Sequence, residues 1–173
     1  MANLFFVPQN IITGENALQM STEHLKNFGR KALIVTDNMM VKLGNVQKLT
    51  DALDSISVSY TIYSGINSEP NHTMIDEGVK IYKKEGCDFL IGIGGGSPLD
   101  SMKAIGAVAA NGGSITEYMG KKLENDLPLT CAIPTTAGTG SEATKVSIIN
   151  NTITNIKMLL NEPKLMAKIA VVD

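Results

Sequence analysis

The sequence is short of several residue types, and each shortage narrows the class of protein. Tryptophan is absent, and only two cysteines and two histidines are present among 173 residues. Cys87 and Cys131 lie far apart, without CxxC spacing and beside apolar runs, so we expect the buried, reduced thiols of a cytosolic protein. We interpret His24 and His72 as packing or surface residues, because no HxxxH or related spacing links them to carboxylates.

Excess charge and long apolar runs are lacking as well. The chain has 17 acidic and 15 basic residues, a net charge of −2, which gives no electrostatic reason to expect nucleic acid or an anionic membrane as a partner. No apolar run reaches the ~18–20 residues that a membrane span requires, and no signal segment opens the chain. With 43% hydrophobic and 18% charged residues, the composition favours a soluble, cytoplasmic globular protein.

Short apolar, β-branched runs alternate with longer segments of helical periodicity. The runs predict strands at residues 32–36, 58–63, 89–93, 129–133 and 169–172, and their nearly continuous apolar character is typical of parallel strands buried on both faces. The periodic segments predict helices at 15–28, 43–55, 73–85 and 98–110. Repetition of strand, helix and strand indicates a parallel sheet with right-handed crossovers. We therefore predict one Rossmann-like, doubly wound α/β domain over residues 1–173.

Two small hairpins are predicted beside this sheet. Residues 4–7 and 11–13 flank Pro8-Gln9-Asn10, and residues 146–149 and 153–158 flank Asn150-Asn151-Thr152. Both are expected as additions to a mainly parallel sheet.

A glycine-rich turn at residues 92–100, GIGGGSPLD, follows one predicted strand and opens a predicted helix. Glycine lets main-chain N–H groups approach a pyrophosphate without a Cβ in the way. Ser97 is predicted to cap the helix, with Pro98 in its first turn and Asp100 completing a capping box. No GK[ST] follows, so the turn is not a Walker loop, and a tight turn without a ligand is the alternative interpretation.

A second loop, residues 133–142 with the sequence IPTTAGTGSE, also follows a strand. Its hydroxyls and glycines suit a ribose, a phosphate or an adenine edge, although a Ser/Thr-rich loop that only caps a helix has the same composition. Asp37 ends another strand on the same predicted edge, where ligands of such sheets bind. It could accept hydrogen bonds from a ribose diol and repel a 2′-phosphate, or it could act only as a helix N-cap.

These motifs resemble the iron-containing (group III) alcohol dehydrogenases, a family that includes lactaldehyde/propanediol, 1,3-propanediol and butanol dehydrogenases. GGGSPLD at 94–100 with Lys103 is similar to the family's GGGSxxDxxK motif, and IPTTAGTGSEAT at 133–144 is similar to its second motif. The resemblance extends from the strand end at 33–37 to residues 169–173. It implies a dehydroquinate synthase-like N-terminal domain that binds NAD in preference to NADP.

The resemblance also implies roles for individual residues. Asp37 would face the adenosine ribose, and Asn71 would approach the ribose or phosphate region. Gly95, Gly96 and Ser97 would hold the pyrophosphate in a turn that also contains Asp100. The remaining implied cofactor residues are Thr135, Thr136 and Thr139 on the adenine side, and Thr144 and Lys157 towards the nicotinamide ribose.

The family has a second, helical domain that supplies one aspartate and three histidines to a divalent iron or zinc. In the family those ligands follow a strand like residues 169–172, so we expect a chain that stops at Asp173 to lack them and to be inactive alone. The full enzyme would interconvert small primary alcohols or diols and aldehydes, and we expect a homo-oligomer. Two alternatives stay open: a non-catalytic nucleotide-binding module, and a fragment of a glycerol dehydrogenase or dehydroquinate synthase-like enzyme.

Overall fold

The computed structural model describes residues 4–173, and its centre is a six-stranded sheet. The strands are β1 (Asn10–Thr13), β2 (Lys31–Val35), β3 (Ser59–Tyr63), β4 (Phe89–Gly94), β5 (Thr130–Pro134) and β8 (Ile169–Val172). Their order across the sheet is β1-β8-β5-β4-β2-β3, and every neighbouring pair is parallel. The prediction of a parallel α/β sheet is therefore confirmed.

Helices cover both faces of this sheet. They are α1 (Ala17–Leu25), α2 (Asn38–Lys42), α3 (Asn45–Ser55), α4 (His72–Lys84) and α5 (Gly96–Asn111). Leu33 and Val35 of β2 belong to the core on the α4 and α5 face, whereas Ala32 and Ile34 belong to the core on the α1 and α3 face. This alternation buries every strand side chain of β4 as well, and it explains the continuous apolar runs.

The chain changes direction across the sheet between β2 and β4. Helix α3 leads from β2 outwards to β3, while α5 leads from β4 to β5 on the other side and over the opposite face. Two crossovers that diverge from neighbouring strands leave a crevice at the carboxyl ends of those strands. The crevice lies where β2 is followed by Asp37 and β4 by Gly95.

Only one of the two predicted hairpins forms. Residues 4–8 have no regular structure, and β1 pairs with β8 in parallel instead of folding back on them. The second hairpin exists as β6 (Val146–Asn151) and β7 (Ile156–Asn161), so its turn spans residues 152–155 and not 150–152. Asn151 ends β6 with its side chain accepting hydrogen bonds from the amides of Ile153 and Thr154, which moves the turn two residues onwards.

Both cysteines and one of the two histidines are buried. Cys87 and Cys131 are buried and unpaired, as predicted. His72 is buried, and its Nδ1 lies 3.3 Å from the amide nitrogen of Thr152 in the β6–β7 turn, while His24 is half-buried on α1. In residues 4–173, no helix combines the length and hydropathy required to cross a membrane.

Candidate functional site

The glycine turn joins β4 to α5 without an intervening loop. Gly94 ends the strand with a φ of 142°, a conformation open to glycine, and a Cβ at this position would lie 2.8 Å from the Pro98 ring. Gly95 then acts as the N-cap of α5. Because glycine has no side chain, it makes no capping hydrogen bond to the helix amides. The helix therefore begins with amide groups that no side chain caps, which is the arrangement that favours an anion.

The predicted capping box in this turn is wrong. Helix α5 begins at Gly96, so Ser97 lies inside the first turn and does not cap it. Asp100 turns towards β6, where its Oδ2 accepts a hydrogen bond of 3.0 Å from the amide of Ile148. Burial raises the pKa of Asp100, opposed by that amide and by Lys103. The helix starts early because consecutive glycines let the chain turn immediately after the strand.

A cleft of about 520 Å³ opens at the crevice between β2 and β4. Six of the predicted cofactor residues line it: Asp37, Gly95, Gly96, Ser97, Thr135 and Thr136. A Cβ placed on Gly95 would lie 3.5 Å from Thr136 Oγ1, so the glycine turn and the loop that follows β5 are in contact. The sequence motifs thus meet at one site, although Gly95 and Thr136 are 41 positions apart in the sequence.

Asp37 fits both interpretations that the sequence allowed. Its Oδ1 accepts a hydrogen bond of 2.8 Å from the amide of Met40 and so caps α2. The same carboxylate lines the cleft, and its Oδ2 lies 3.4 Å from the position that a Cβ on Gly94 would occupy. One oxygen is therefore used for the helix, and the other is directed towards the glycine turn.

A smaller cleft of about 180 Å³ adjoins the first and shares Gly96 and Ser97 with it. Asp100 and Lys157 line this second cleft. Lys157 Nζ lies 2.9 Å from Glu69 Oε1 in an exposed ion pair, and this hydrogen bond lowers the pKa of Glu69. The ammonium group of Lys157 therefore lies in the second cleft with its charge neutralised by Glu69.

Three of the predicted cofactor residues line neither cleft. Asn71 is the N-cap of α4 and accepts a hydrogen bond of 3.1 Å from the amide of Met74. Thr139 packs beside Gly96, with its Cγ2 3.4 Å from the position of a Cβ there. Thr144 accepts hydrogen bonds from Lys103 behind the cleft.

Sequence reasoning missed several cleft residues, chiefly because it missed helix α2. Asn38, Met39, Met40 and Lys42 of this helix all line the larger cleft. The available signal was the position of the segment directly after a strand end with an acidic N-cap. Asn67 reaches the site from a different loop, since its Oδ1 accepts a hydrogen bond of 2.9 Å from the Asn38 amide.

The described residues do not fit a catalytic metal ion. Within residues 4–173 there is no group of three or more His, Cys, Asp or Glu side chains close enough to hold one.

A parallel sheet with a glycine turn, an acid and a threonine-rich loop at its switch point defines a Rossmann-like α/β domain. The family model described as iron-containing alcohol dehydrogenase matches residues 8–173. The chain belongs to this family, which confirms the resemblance of its two motifs.

Characterised relatives agree with this assignment. The chain is 38% identical over 171 residues to the NAD-dependent methanol dehydrogenase of Bacillus methanolicus, covering 98% of this chain and 45% of that protein. It is 35% identical over 178 residues to lactaldehyde reductase of Escherichia coli (strain K12), covering 100% of this chain and 46% of that protein. The chain thus spans less than half the length of these relatives.

Solved structures show the same fold. A 1,3-propanediol oxidoreductase superposes with a TM-score of 0.96 at 32% identity, over 100% of this chain and 46% of that one. The sulfoacetaldehyde reductase from Bifidobacterium kashiwanohense, solved in complex with NAD⁺, superposes with a TM-score of 0.86 at 28% identity, again over 100% and 46%.

Proposed function

We propose that residues 4–173 form the NAD(H)-binding part of an alcohol dehydrogenase that interconverts small primary alcohols or diols and aldehydes. The observation that carries this proposal is the pair of adjoining clefts that share Gly96 and Ser97. A dinucleotide is two nucleosides joined by a pyrophosphate, so two clefts on either side of an uncapped helix N-terminus match its shape and charge.

The larger cleft suits the adenosine side of the cofactor. The Asp37 carboxylate would accept hydrogen bonds from the adenosine ribose diol and disfavour a 2′-phosphate, so NAD is the expected cofactor. Thr135 and Thr136 would contact the adenosine with their hydroxyls. Backbone amides of Gly95, Gly96 and Ser97 would hold the pyrophosphate, because only main chain and short side chains surround it.

The smaller cleft suits the nicotinamide ribose, which places Lys157 and Asp100 near it. The nicotinamide ring, when bound, supplies the acceptor for a hydride from the alcohol. This chain's residues would bind and orient the cofactor and exclude water beneath it. Asn71, Thr139 and Thr144 would act from outside the clefts, by capping α4 and by supporting the threonine loop, which we define as residues 135–143.

Calorimetric titration of the purified chain with NADH, NAD⁺ and ADP-ribose tests this function. We expect one saturable site for NADH, with ADP-ribose competing for it. Thr136→Val should weaken binding because it removes a hydroxyl from the larger cleft. Thr154→Val, the same change in the exposed β6–β7 turn, should bind like the original chain. Absence of saturable binding would overturn the proposal.

We further propose that the 173-residue chain by itself does not oxidise alcohols, and that it works in the cytoplasm, where its two free thiols stay reduced. Joining it to the metal-binding domain of a related dehydrogenase should yield metal-dependent NADH production. Turnover by the 173-residue chain without such a domain would contradict this proposal.

A further inference from the structure

A fully buried lysine lies behind the two clefts. Lys103, in the second turn of α5, has 0% of its surface exposed. Its Nζ donates hydrogen bonds to the carbonyl oxygens of Thr144 at 2.8 Å and Val146 at 2.9 Å, and to Thr144 Oγ1 at 3.3 Å. These contacts use all three donors of the ammonium group. Lysine is rarely buried this completely, so its position calls for a specific role.

The same segment is bound to α5 at two further points. Ser147 Oγ donates to the carbonyl of Asp100 at 2.9 Å, and the Ile148 amide donates to Asp100 Oδ2 at 3.0 Å. Helix α5 begins at the glycine turn, and residues 144–148 directly follow the threonine loop. These hydrogen bonds therefore connect the element that carries one cofactor motif to the element that follows the other.

The threonine loop has few other attachments. Residues 135–139 are exposed, and the loop begins with a hydrogen bond of 2.9 Å from the Thr135 amide to the Gly94 carbonyl. Within the loop, the Ala143 amide donates to the Gly140 carbonyl, which does not connect it to the rest of the fold. The loop is thus attached to the β4–α5 unit through Gly94 at its start, and through Lys103 and Asp100 just past its end.

The threonine loop supplies one wall of the larger cleft, through Thr135 and Thr136. The built Cβ of Gly96 would lie 3.3 Å from Ser141 Oγ and 3.4 Å from Thr139 Cγ2, so the loop packs directly on the first turn of α5. If residues 144–146 moved away from α5, the hydroxyls of Thr135 and Thr136 would no longer be fixed opposite Gly95 and Ser97.

We propose that Lys103 is a positioning residue for cofactor binding, which holds the end of the threonine loop against α5 without touching the cofactor. Lys103 lines neither cleft, so it acts through the loop alone. This inference rests on the proposed function, since positioning matters only if the clefts bind a dinucleotide.

Hydrogen exchange without cofactor tests the positioning directly. In Lys103→Met, which keeps the apolar stem and removes the ammonium, we expect the hydrogen-bonded amides of Thr135, Ala143 and Ile148 to exchange about tenfold faster, as loss of one well-placed hydrogen bond predicts. Amides of β4 should keep their protection. Lys122→Met, the same change at an exposed lysine, should match the original chain. Unchanged exchange at 135–148 would overturn the role of Lys103 whether or not the chain binds NADH.

Binding then separates positioning from a purely structural role. Lys103→Met should weaken NADH binding by about tenfold, and by less when Thr136 is already changed to Val, because both act through the same loop. Fully additive losses would contradict the proposal. If Lys103→Met does not fold, Lys103→Gln carries both measurements with losses in the same direction, because its amide is uncharged, ends one bond short of Nζ and has two N–H donors for three acceptors. Original exchange and affinity in that variant would equally overturn it.

Discussion

At the scale of single residues, the Asp37 carboxylate both caps helix α2 through Oδ1 and lines the larger cleft. Sequence reasoning left its two roles as alternatives, because a strand-end acid is a good helix cap and a good partner for a ribose diol. The structure makes them compatible, since Oδ1 caps α2 and the carboxylate still lines the larger cleft. A substitution that keeps the helix cap and removes the negative charge can therefore separate the two roles of Asp37.

Asp37→Asn should change cofactor choice without loss of stability. Asparagine caps helices as well as aspartate does, so the melting temperature should stay close to that of the original chain. Removing the negative charge should raise the affinity for NADP⁺ about tenfold, a change of about 1.4 kcal/mol. Calorimetry with NAD⁺ and NADP⁺ measures this shift, and Asp54→Asn, an exposed acid on α3, is the control. An unchanged preference would show that Asp37 only caps α2.

Lys103 should make stability depend on pH. Burial lowers its pKa from 10.5 to about 8, opposed by the charges of Asp100 and Glu142. Between these two pKa values the unfolded chain binds more protons at this lysine, so the free energy of unfolding should rise with pH. From about pH 7.5 to 9.5 the original chain should gain up to about 2 kcal/mol relative to Lys103→Met.

Urea unfolding of both chains across this range measures the difference. Burial also raises the pKa of Cys131 to about 12, which lowers stability as pH rises, but this effect is common to both chains and cancels. A difference that does not change with pH would mean that Lys103 keeps its proton across this range when folded, so that burial does not lower its pKa.

At the scale of elements, periodicity was a good guide to strands and helices and a poor guide to their ends. The apolar runs of β2, β4 and β8 could be predicted, because residues buried on both faces leave no polar alternation to misread. The start of α5 could not, because glycine gives no signal for which residue begins the helix. The apolar character of residues 4–7 alone predicts a strand, but β1 pairs with β8, which lies far along the chain.

In the candidate site, too, some features could be predicted from the sequence and others could not. Glycines 95 and 96 and Thr135 and Thr136 could be predicted because each follows a strand end, and the carboxyl ends of parallel strands share one edge. The three hydrogen bonds of Lys103 and the Lys157–Glu69 ion pair could not, since each joins a side chain to a residue 41 to 88 positions away in sequence. Such contacts depend on how elements pack, and no local pattern encodes them.

Two adjacent glycines of the turn should respond differently to alanine. Gly95 has a φ of −75°, and a Cβ there would have only an ordinary contact with Thr136, so Gly95→Ala should fold normally but weaken NADH binding at least tenfold by blocking the pyrophosphate position. Gly94 has a φ of 142° and a Cβ clash with Pro98, so Gly94→Ala should be destabilised by about 1–3 kcal/mol. Thermal melts and NADH titration of both variants test this contrast, and wild-type affinity in Gly95→Ala would contradict it.

At the scale of the whole molecule, the apolar surface around the first strand is the least explained part of the fold. Leu4 is 81% and Phe5 85% exposed, and they precede β1, which lies at the edge of the sheet and pairs with β8 on one side. An edge strand with a neighbouring apolar segment favours pairing with another chain. We therefore predict a homodimer through this edge.

Light scattering should report twice the 18.5 kDa mass of one chain, with dissociation on dilution. Changing Leu4 and Phe5 together to serine should give the single-chain mass, because it removes the apolar area that offsets the entropy of association. Ile153→Ser, which alters a residue 78% exposed in the β6–β7 turn, should leave the dimer intact. A dimer that survives the double substitution would place the interface elsewhere. A single-chain mass of the original chain at every concentration would contradict the predicted homodimer.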